Sequence, residues 1–313
     1  MLEAPAPARG YFRPIIKAIR VHQWVKNVLV FIPLLLAHVL PWASPTARQQ
    51  WIHALLGFAA FCFAASSIYV VNDWVDVESD RAHSSKRRRP FASGALPTRF
   101  GPAMVIALVL LAAACCLMLP LDFAWTLAVY VLLSTAYSFV LKQRLLIDVF
   151  ALAGLYTLRL YAGSRAANVE ISQWLLAFSL FLFVSLAFAK RYAELTLLES
   201  EGRMRASGRN YNVDDLRIIE STGPASGYLA VMVLALYIND TSSQASRLYK
   251  APLFLWMLCP LLMYWITRVW FIARRKALDD DPILFALKDK VSWLTFALAA
   301  CLVLLAWQPW ITR

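Results

Sequence analysis

The stretch Asn72–Pro97, NDWVDVESDRAHSSKRRRPFASGALP, places a row of carboxylates and a run of basic residues directly after a long apolar segment. If the preceding helix continues through it at about 100° per residue, Asn72, Asp73, Asp76 and Asp80 lie on one arc. Oxygen ligands on one face suit Mg²⁺, which proteins usually bind through one or two carboxylates together with substrate phosphates. We therefore predict that these four residues hold Mg²⁺. The alternative interpretation is a solvated acidic helix end among ordinary membrane-flanking charges.

The rest of the chain has the composition of a membrane protein. Of its 313 residues, 60% are hydrophobic and 16% are charged, whereas about 25% charged residues are typical of soluble domains. A bilayer span needs about 20 mostly apolar residues. Blocks of about this length cover residues 24–41, 51–71, 102–120, 122–141, 145–163, 172–189, 222–239, 251–272 and 291–309. The sequence thus predicts an all-α membrane protein with nine transmembrane helices, formed by a single membrane-embedded domain over residues 1–313.

The distribution of positive charge predicts the orientation of these spans. With a cytoplasmic N-terminus, 24 of the 31 Lys and Arg residues fall in inside segments and five in outside segments. By the positive-inside rule, the C-terminus is then periplasmic or extracellular. We expect the protein to lie in the inner (plasma) membrane, with its active site facing the cytoplasm. Residues 1–23 are expected to form a tail and a basic interfacial helix. Residues 72–101 and 190–221 are expected to form cytoplasmic loops that cap an active site.

Other polar residues stand within the predicted spans or at their cytoplasmic ends. Asp148 and Arg159 are predicted to share one side of the fifth span, where an ionisable residue is a candidate for function, although Asp148 could also be solvated near the helix end. Lys26 could either anchor the first span or reach a phosphate. The full set of predicted substrate-binding residues is Lys26, Asn27, Asn72, Arg81, Lys86, Arg87, Arg89, Tyr137, Lys142, Asp148, Arg159, Lys190, Arg191 and Tyr192.

Several other functions are not favoured by the residue pattern. The five cysteines lie in apolar spans without metal-ligand spacing and the four histidines are scattered, so a zinc site and disulfides are not expected. The basic residues follow the topology rule and are spread over five loops, so nucleic-acid binding is not indicated. A homo-oligomer stays open. Asp281 is expected to cap a short helix that begins at Pro282.

The motif NDWVDVESD at the end of the second predicted span resembles the first aspartate-rich motif, NDxxDxxxD, of the UbiA superfamily of intramembrane prenyltransferases. This resemblance covers essentially the whole chain and implies a nine-helix bundle with a cytoplasmic Mg²⁺-diphosphate site open to lipid. The second family motif departs from the pattern. Where the prenyltransferases carry a second DxxxD, this chain has KRYAEL, in which Glu194 is the carboxylate and Leu198 takes the last place.

The segments HQWVKN, IDVFALAGLYTLRLYAG, KRYAEL and DPILFALKDK, with the acidic motif, are similar to one branch, the polyprenyl-phosphate (decaprenyl-phosphate) phosphoribosyltransferases. The resemblance implies transfer of 5-phosphoribosyl from phosphoribosyl diphosphate to a polyprenyl phosphate, yielding a lipid-linked precursor of cell-wall arabinose. On this hypothesis Asp73, Asp76, Asp80 and Glu194 are catalytic. The three aspartates, with Asn72, hold Mg²⁺ on the leaving diphosphate, and Glu194 stabilises positive charge at ribose C1.

Two alternatives stay open. One is a UbiA-type enzyme that moves a prenyl group from a prenyl diphosphate to an aromatic acceptor. The other is a lipid transporter or flippase, which the intramembrane Asp148 and Arg159 permit. Transporters usually have interrupted spans around a midplane site, whereas the polar residues here concentrate at one membrane face.

Overall fold

The computed structural model describes residues 10–82, 86–205, 209–240, 248–276, 278 and 282–307. Within these ranges every regular element is a helix, and strand-type pairing is limited to an isolated bridge between Arg205 and Asn212. The α-helices are α1 (Phe12–Ala18), α2 (Ile32–Leu36), α3 (Pro45–Val75), α4 (Val77–Ala82), α5 (Phe100–Cys116), α6 (Leu121–Phe139), α7 (Ile147–Ala167), α8 (Gln173–Ser200), α9 (Leu216–Asn239), α10 (Pro252–Trp256), α11 (Leu258–Arg274), α12 (Pro282–Lys288) and α13 (Lys290–Trp307). Shorter 3₁₀ segments cover Val21–Phe31, Lys86–Arg88, Leu141–Gln143 and Val213–Asp215.

Six helices in the described part of the chain are long and apolar enough to cross a bilayer, namely Pro45–Val75, Leu121–Phe139, Gln173–Ser200, Val213–Asn239, Pro252–Arg274 and Lys290–Trp307. A seventh arises if α1 and Val21–Leu36, bent by 48°, count as one span. The protein is therefore a multi-pass membrane protein. The remaining two predicted spans also fall on helices, but α5 has 17 residues and α7 carries Asp148, Arg159 and Arg165. The count of nine and the orientation stay predictions.

The chain forms two compact units. The first comprises Met1–Thr135 and Arg165–Val169, and its longest helix is α3. Ser44 caps α3 by accepting a hydrogen bond from Ala47 N at 3.0 Å, and Pro45 occupies the first turn, where no backbone donor is needed. With 31 residues α3 is about 46 Å long, longer than the hydrocarbon core of about 30 Å. A helix of this length can extend its acidic end beyond the apolar layer.

The second unit comprises Ala136–Ser164 and Glu170–Arg313. Helices α8, α9 and α11 pack closely in it because glycines admit large side chains. A Cβ atom built on Gly223 would lie 2.0 Å from the Trp270 ring. The Trp270 indole also donates to Ser185 Oγ at 3.1 Å, which joins α11 to α8. This close packing fixes α8 against α9 and α11, and the polar C-terminal part of α8 continues from it.

Asp289, for which the sequence suggested no role, has a structural role at the start of α13. Its carboxylate accepts hydrogen bonds from Ser292 N at 2.7 Å and from both terminal nitrogens of Arg268 at 2.7 and 3.0 Å. Burial opposes ionisation, but these hydrogen bonds and the Arg268 charge outweigh it and lower the pKa of Asp289. Helix α12 begins at Pro282 as expected, while the predicted cap Asp281 lies outside the described residues.

Candidate functional site

The acidic stretch is not one uninterrupted helix. Helix α3 ends at Val75, Asp76 has φ −87° and ψ 12°, and α4 follows from Val77. The hydrogen bonds Asp76 N to Asn72 O at 3.0 Å and Asp80 N to Asp76 O at 2.8 Å nevertheless keep the helical path. The expected continuous helix is therefore interrupted at one residue. Asp73 and Asp80 still turn to the same side of the chain, because both contact one arginine.

That arginine is Arg89. Its Nη1 lies 3.0 Å from Asp73 Oδ1 and 2.7 Å from Asp80 Oδ2, and each aspartate is 2% exposed. A second arginine, Arg20, donates to Asp73 Oδ1 at 2.6 Å and stacks over the Tyr69 ring at 4.8 Å. Two buried carboxylates are thus neutralised by two guanidinium groups, as buried charges require.

The loop after α4 brings Arg89 back to α3. Phe91 and Leu96 are fully buried and pack with Val70, Val77 and other apolar residues in one core cluster of the first unit. Gly94 adopts φ 76°, a left-handed conformation that glycine takes without a steric penalty. Anchored at Phe91, the loop therefore fixes the position of Arg89 two residues earlier.

The other basic candidates of this loop are placed differently from Arg89. Lys86 and Arg87 are exposed, as ordinary membrane-flanking charges are, and Arg81 donates to Ala92 O at 3.2 Å. On the N-terminal segment, Asn27 is buried and donates to Cys62 Sγ at 3.3 Å. Lys26 and Asn72 are partly exposed. The structure thus groups Asp73, Asp80 and Arg89, and it adds Arg20, which sequence reasoning assigned to the interfacial helix.

The acidic cluster fits a hard divalent cation by its chemistry. Asp73 and Asp80 already converge on one positive group, and carboxylate oxygens are ligands that Mg²⁺ prefers. Among the residues described, however, no group of three or more His, Cys, Asp or Glu side chains is arranged around a metal-sized space. Asp73 and Asp80 are the buried carboxylates that could hold such an ion, and the predicted ligands Asp76 and Asn72 stay predictions.

A second polar cluster lies in the second unit, around the C-terminal part of α8. Arg191 is 1% exposed and Asp148, at the start of α7, is fully buried. Arg191 Nε lies 3.5 Å from Asp148 Oδ2, and Tyr211 donates to Asp148 Oδ1 at 2.6 Å. Burial, together with the hydrogen bond to Asp148, raises the pKa of Tyr211, so this hydroxyl stays a donor at physiological pH.

Glu194, one turn after Arg191, is held by two arginines. Arg191 Nη1 lies 2.5 Å from Glu194 Oε2, and Arg209 from the following loop donates to the same oxygen. Arg191 Nε and Nη2 make no hydrogen bond within the described part of the chain, and neither does Asp148 Oδ2. Arg191 Nε and Asp148 Oδ2 face each other in their ion pair. Since buried polar atoms normally have partners, Arg191 Nη2 is the donor of this cluster that could take a further acceptor.

The other predicted substrate-binding residues of this unit either pack against neighbouring side chains or are partly exposed to solvent. Arg159 is 5% exposed, and its Nη1 donates to Leu155 O of its own helix at 2.6 Å while the guanidinium lies over the Tyr156 ring. Tyr192 packs against Trp270, with ring centroids 5.7 Å apart. Tyr137, Lys142 and Lys190 are partly exposed. Asp148 and Arg191 are therefore the predicted residues that this unit brings together with Glu194.

Two cavities border α8 in the second unit. A pocket of about 360 Å³ is lined by Lys190, Ala193, Glu194, Leu197, Arg209, Lys276 and Leu278. A more open, apolar groove of about 410 Å³ is lined by Gly154, Thr157, Leu158, Tyr161, Leu176, Ala177 and Leu180 of α7 and α8. Arg209 and Lys276 were missed by sequence reasoning, because nothing in their local spacing distinguishes them from other loop charges.

Comparison with known proteins agrees with the fold and the motif. Residues 30–288 match the model of the UbiA prenyltransferase family. The chain belongs to the UbiA prenyltransferase family, whose members are enzymes, and the resemblance stated above is confirmed. A solved UbiA homologue from Archaeoglobus fulgidus bound to GPP and Mg²⁺ has a TM-score of 0.68 at 17% identity, covering 93% of this chain and 99% of that chain. At that identity the likeness establishes a common fold.

Three curated relatives are more similar in sequence. Nodulation protein NoeC of Azorhizobium caulinodans is 36% identical over 279 residues, 89% of this chain and 88% of that protein. The uncharacterized protein y4nM of Sinorhizobium fredii is 35% identical over 92% of this chain and 55% of its own length, so the chain spans about half of that relative. Decaprenyl-phosphate phosphoribosyltransferase of Corynebacterium glutamicum is 34% identical over 248 residues, 78% of this chain and 74% of that enzyme.

Proposed function

We propose that the chain is an Mg²⁺-dependent phosphoribosyltransferase that moves 5-phosphoribosyl from phosphoribosyl diphosphate to a polyprenyl phosphate. The bond from ribose C1 to the diphosphate oxygen breaks, and its electron pair leaves with diphosphate. A phosphate oxygen of the lipid forms the new bond to C1. This phosphate monoester is largely a dianion near pH 7, so the attack needs no general base, and catalysis rests on positioning and charge stabilisation.

The observation that carries this proposal is the pairing of Glu194 with Arg191 and Arg209. Glu194 is the carboxylate of the second motif, and both of its arginine contacts go to one oxygen, so it offers a metal ion less than the paired carboxylates Asp73 and Asp80 do together. The pocket beside this pair is lined by Lys190, Arg209 and Lys276 together with Glu194. Basic groups of this kind suit phosphate groups, which guanidinium binds in a bidentate manner. Phosphoribosyl diphosphate has an additional phosphate at C5 that prenyl diphosphates lack. The relative from Corynebacterium glutamicum named decaprenyl-phosphate phosphoribosyltransferase supports the same substrates.

In the first unit, Asp73, Asp76 and Asp80 with Asn72 would hold Mg²⁺ on the leaving diphosphate. The ion, when bound, would neutralise the negative charge that develops on the diphosphate as it departs. Arg20 and Arg89 hold the two buried aspartates in convergent positions. Among the basic residues of the following loop, Lys86 and Arg87 are exposed and could reach substrate phosphates.

In the second unit, we revise the role of Glu194. Direct stabilisation of positive charge at ribose C1 needs an uncompensated carboxylate, whereas Glu194 contacts two arginines. We therefore propose that Glu194 positions Arg191 and Arg209 for phosphate binding. Asp148, through its ion pair with Arg191, supports the same guanidinium from the other side.

The lipid acceptor is consistent with the apolar groove on α7 and α8. Its lining includes Gly154, Leu158 and Leu180 and contains few polar groups. An isoprenoid chain could lie in such a groove, since burying apolar surface from water or headgroups is favourable. We further propose a plasma-membrane location with the polar clusters at the cytoplasmic face, and use of the product as a precursor of cell-wall arabinose.

The test is label transfer by the purified full chain in lipid nanodiscs. Radiolabelled phosphoribosyl diphosphate and a polyprenyl phosphate should give labelled lipid with Mg²⁺ and none with excess EDTA. Asp76→Asn should lower the rate at least about 100-fold, equivalent to about 2.7 kcal/mol, while Glu78→Gln, an exposed acidic neighbour, should keep most activity. A parallel reaction with prenyl diphosphate and 4-hydroxybenzoate addresses the alternative enzyme. Prenylated benzoate as the only product would refute the proposal.

A further inference from the structure

Helix α1 presents a face that the packing of the first unit does not cover. Ile15 and Ile19 pack against the core cluster of that unit. The rest of the helix surface carries exposed side chains of two kinds, apolar and basic, namely Phe12, Arg13, Ile16 and Lys17. Phe12 alone is 74% exposed. A helix that exposes apolar and basic side chains next to one another is typical of segments that lie in the membrane interface.

A second segment of the chain joins this face. Lys17 Nζ donates to Arg88 O at 3.0 Å, which brings the loop after α4 against α1 over a separation of 71 positions. Arg88 is exposed, and Arg13 lies one helical turn before Lys17. In the part of the chain that the structure describes, the side chains of Arg13 and Arg88 make no ion pair or hydrogen bond. We call the surface formed by Phe12, Arg13, Ile16, Lys17 and Arg88 the α1 surface.

The α1 surface lies at the end of a segment that can cross the membrane. Helix α1 and Val21–Leu36, bent by 48°, are together apolar enough for one span. Contact of Phe12 and Ile16 with water is unfavourable. In the boundary between headgroups and acyl chains these two side chains would be buried, while Arg and Lys keep their charges in the headgroup layer. An acidic soluble partner would neutralise the charges, but it would not account for the exposed apolar side chains.

We infer that the α1 surface binds the phosphate groups of anionic membrane lipids. Arginine, present here as Arg13 and Arg88, binds phosphate oxygens in a bidentate manner. Each Lys or Arg near an anionic membrane surface strengthens binding about fivefold. Phe12 and Ile16 contact the acyl chains, which distinguishes a lipid phosphate from a free one. The sequence alone predicted an interfacial helix, and the fold adds the loop that carries Arg88.

The α1 surface is connected to the two arginines that hold the buried aspartates. Arg20 stands two residues after the end of α1 and donates to Asp73 Oδ1 at 2.6 Å. Arg89 directly follows Arg88 and contacts both Asp73 and Asp80. A lipid that holds α1 and the loop therefore holds the segments from which Arg20 and Arg89 project. Since it binds the folded arrangement, anionic lipid should raise the melting temperature of the full chain.

The experiment measures lipid binding by the full chain in a nonionic detergent. Fluorescence anisotropy follows a tail-labelled phosphatidylglycerol, and phosphatidylcholine with the same label is the neutral probe. We expect phosphatidylglycerol to bind at least about tenfold more tightly, with an affinity that falls as salt screens the charges. Arg13→Gln combined with Arg88→Gln should weaken phosphatidylglycerol binding at least about tenfold and leave phosphatidylcholine binding unchanged.

Two further variants separate this surface from general charge effects. Arg48→Gln removes an exposed positive charge from the first turn of α3, at the end of that helix opposite to Asp73, and should change the affinity less than about twofold. Phe12→Ser keeps every charge but removes the exposed ring, so it should weaken phosphatidylglycerol binding about fivefold. Glycerol 3-phosphate, which lacks acyl chains, should displace the lipid probe poorly.

The inference is overturned if the two lipids bind the wild type equally, or if the double variant and Arg48→Gln bind phosphatidylglycerol equally. Displacement of the probe by glycerol 3-phosphate as efficient as by unlabelled phosphatidylglycerol would show a free-phosphate site and would overturn it too. In nanodiscs, replacing part of the phosphatidylcholine by phosphatidylglycerol should raise the melting temperature of the wild type more than that of the double variant. Equal shifts would contradict the link from the α1 surface to Arg20 and Arg89.

Discussion

Replacing Arg89 by methionine tests how the buried aspartates are held. Methionine is unbranched and apolar, so it removes the charge without adding bulk. In the wild type, Arg89 Nη1 lies 3.0 Å from Asp73 Oδ1 and 2.7 Å from Asp80 Oδ2, and both aspartates are 2% exposed. In Arg89→Met, Asp73 keeps its ion pair with Arg20, whereas Asp80 loses its ion pair with Arg89, the one it makes within the described residues.

The magnitude follows from the burial of these groups. Breaking a buried ion pair costs about 3–5 kcal/mol. Arg89 itself is 26% exposed, and water can partly replace it, so we expect Arg89→Met to lower the free energy of unfolding by about 2–3 kcal/mol. In this variant Mg²⁺ can bind the uncompensated carboxylate of Asp80 together with Asp73, which keeps its ion pair with Arg20. At an Mg²⁺ concentration 100 times its Kd, binding would restore about 2.7 kcal/mol.

The assay is denaturant unfolding in detergent micelles at pH 7, with EDTA or with saturating Mg²⁺. Mg²⁺ should stabilise Arg89→Met more than the wild type, because the wild-type guanidinium competes with the ion. The matched control is Arg88→Met, which removes an equal charge from an exposed neighbour and should cost less than about 0.5 kcal/mol. An equal loss in both variants, or no Mg²⁺-dependent recovery in Arg89→Met, would refute this reasoning.

Three further predictions concern the second unit. Tyr211→Phe should destabilise by about 1–3 kcal/mol, because the buried Asp148 loses a hydrogen bond of 2.6 Å. Since the pKa of Tyr211 is raised, its contribution should be complete below the unfolded pKa of about 10 and lost as pH rises through the higher folded value. The pKa of Asp289 is lowered in the folded protein. Its contribution to wild-type stability is therefore present above about pH 4 and is lost as pH falls through the lowered folded pKa, and Asp289→Asn should remove this contribution. Gly223→Ala should cost about 1–3 kcal/mol by overpacking against Trp270.

These predictions are checked by unfolding curves measured across pH, and each has its own contradicting result or control variant. For Tyr211→Phe, stability equal to wild type at pH 7 would contradict the buried hydrogen bond. The unfolded pKa of an aspartate is about 3.9. If Asp289→Asn loses stability below about pH 4 as steeply as the wild type, another carboxylate causes the acid destabilisation. Gly10→Ala, with no atom within 4 Å of the added Cβ, is the control for Gly223→Ala, and equal effects would contradict the packing argument.

Much of the acidic cluster could be predicted from local sequence. Residues seven positions apart share a helix face, so Asp73 and Asp80, which both contact Arg89, could be grouped without a structure. The place of Asp76 beside them stays a prediction. The membrane class likewise follows from the length of the apolar blocks. Arg191 and Glu194 are three positions apart on α8, a spacing at which helical side chains are neighbours, and these two side chains are in contact.

The predicted number of membrane spans depended on helices that are short or that carry charged residues. Helix α5 is short and α7 carries charged residues, so span counting from composition is weakest there. The first predicted span, residues 24–41, is a 3₁₀ segment followed by α2, after Arg20 with φ 52°. Apolar composition indicates burial in lipid or protein, but it does not distinguish a continuous helix from a broken one.

What the sequence alone determined is therefore the class of protein and the residues that one helix brings together. Only the tertiary structure decided which charges are paired. Arg20 reaches Asp73 across 53 positions, and Tyr211 reaches Asp148 across 63. The physical reason is that a charge in a loop has no local periodicity to reveal its partner. Its position depends on where buried anchors such as Phe91 fasten the loop, and that is settled by packing between distant segments.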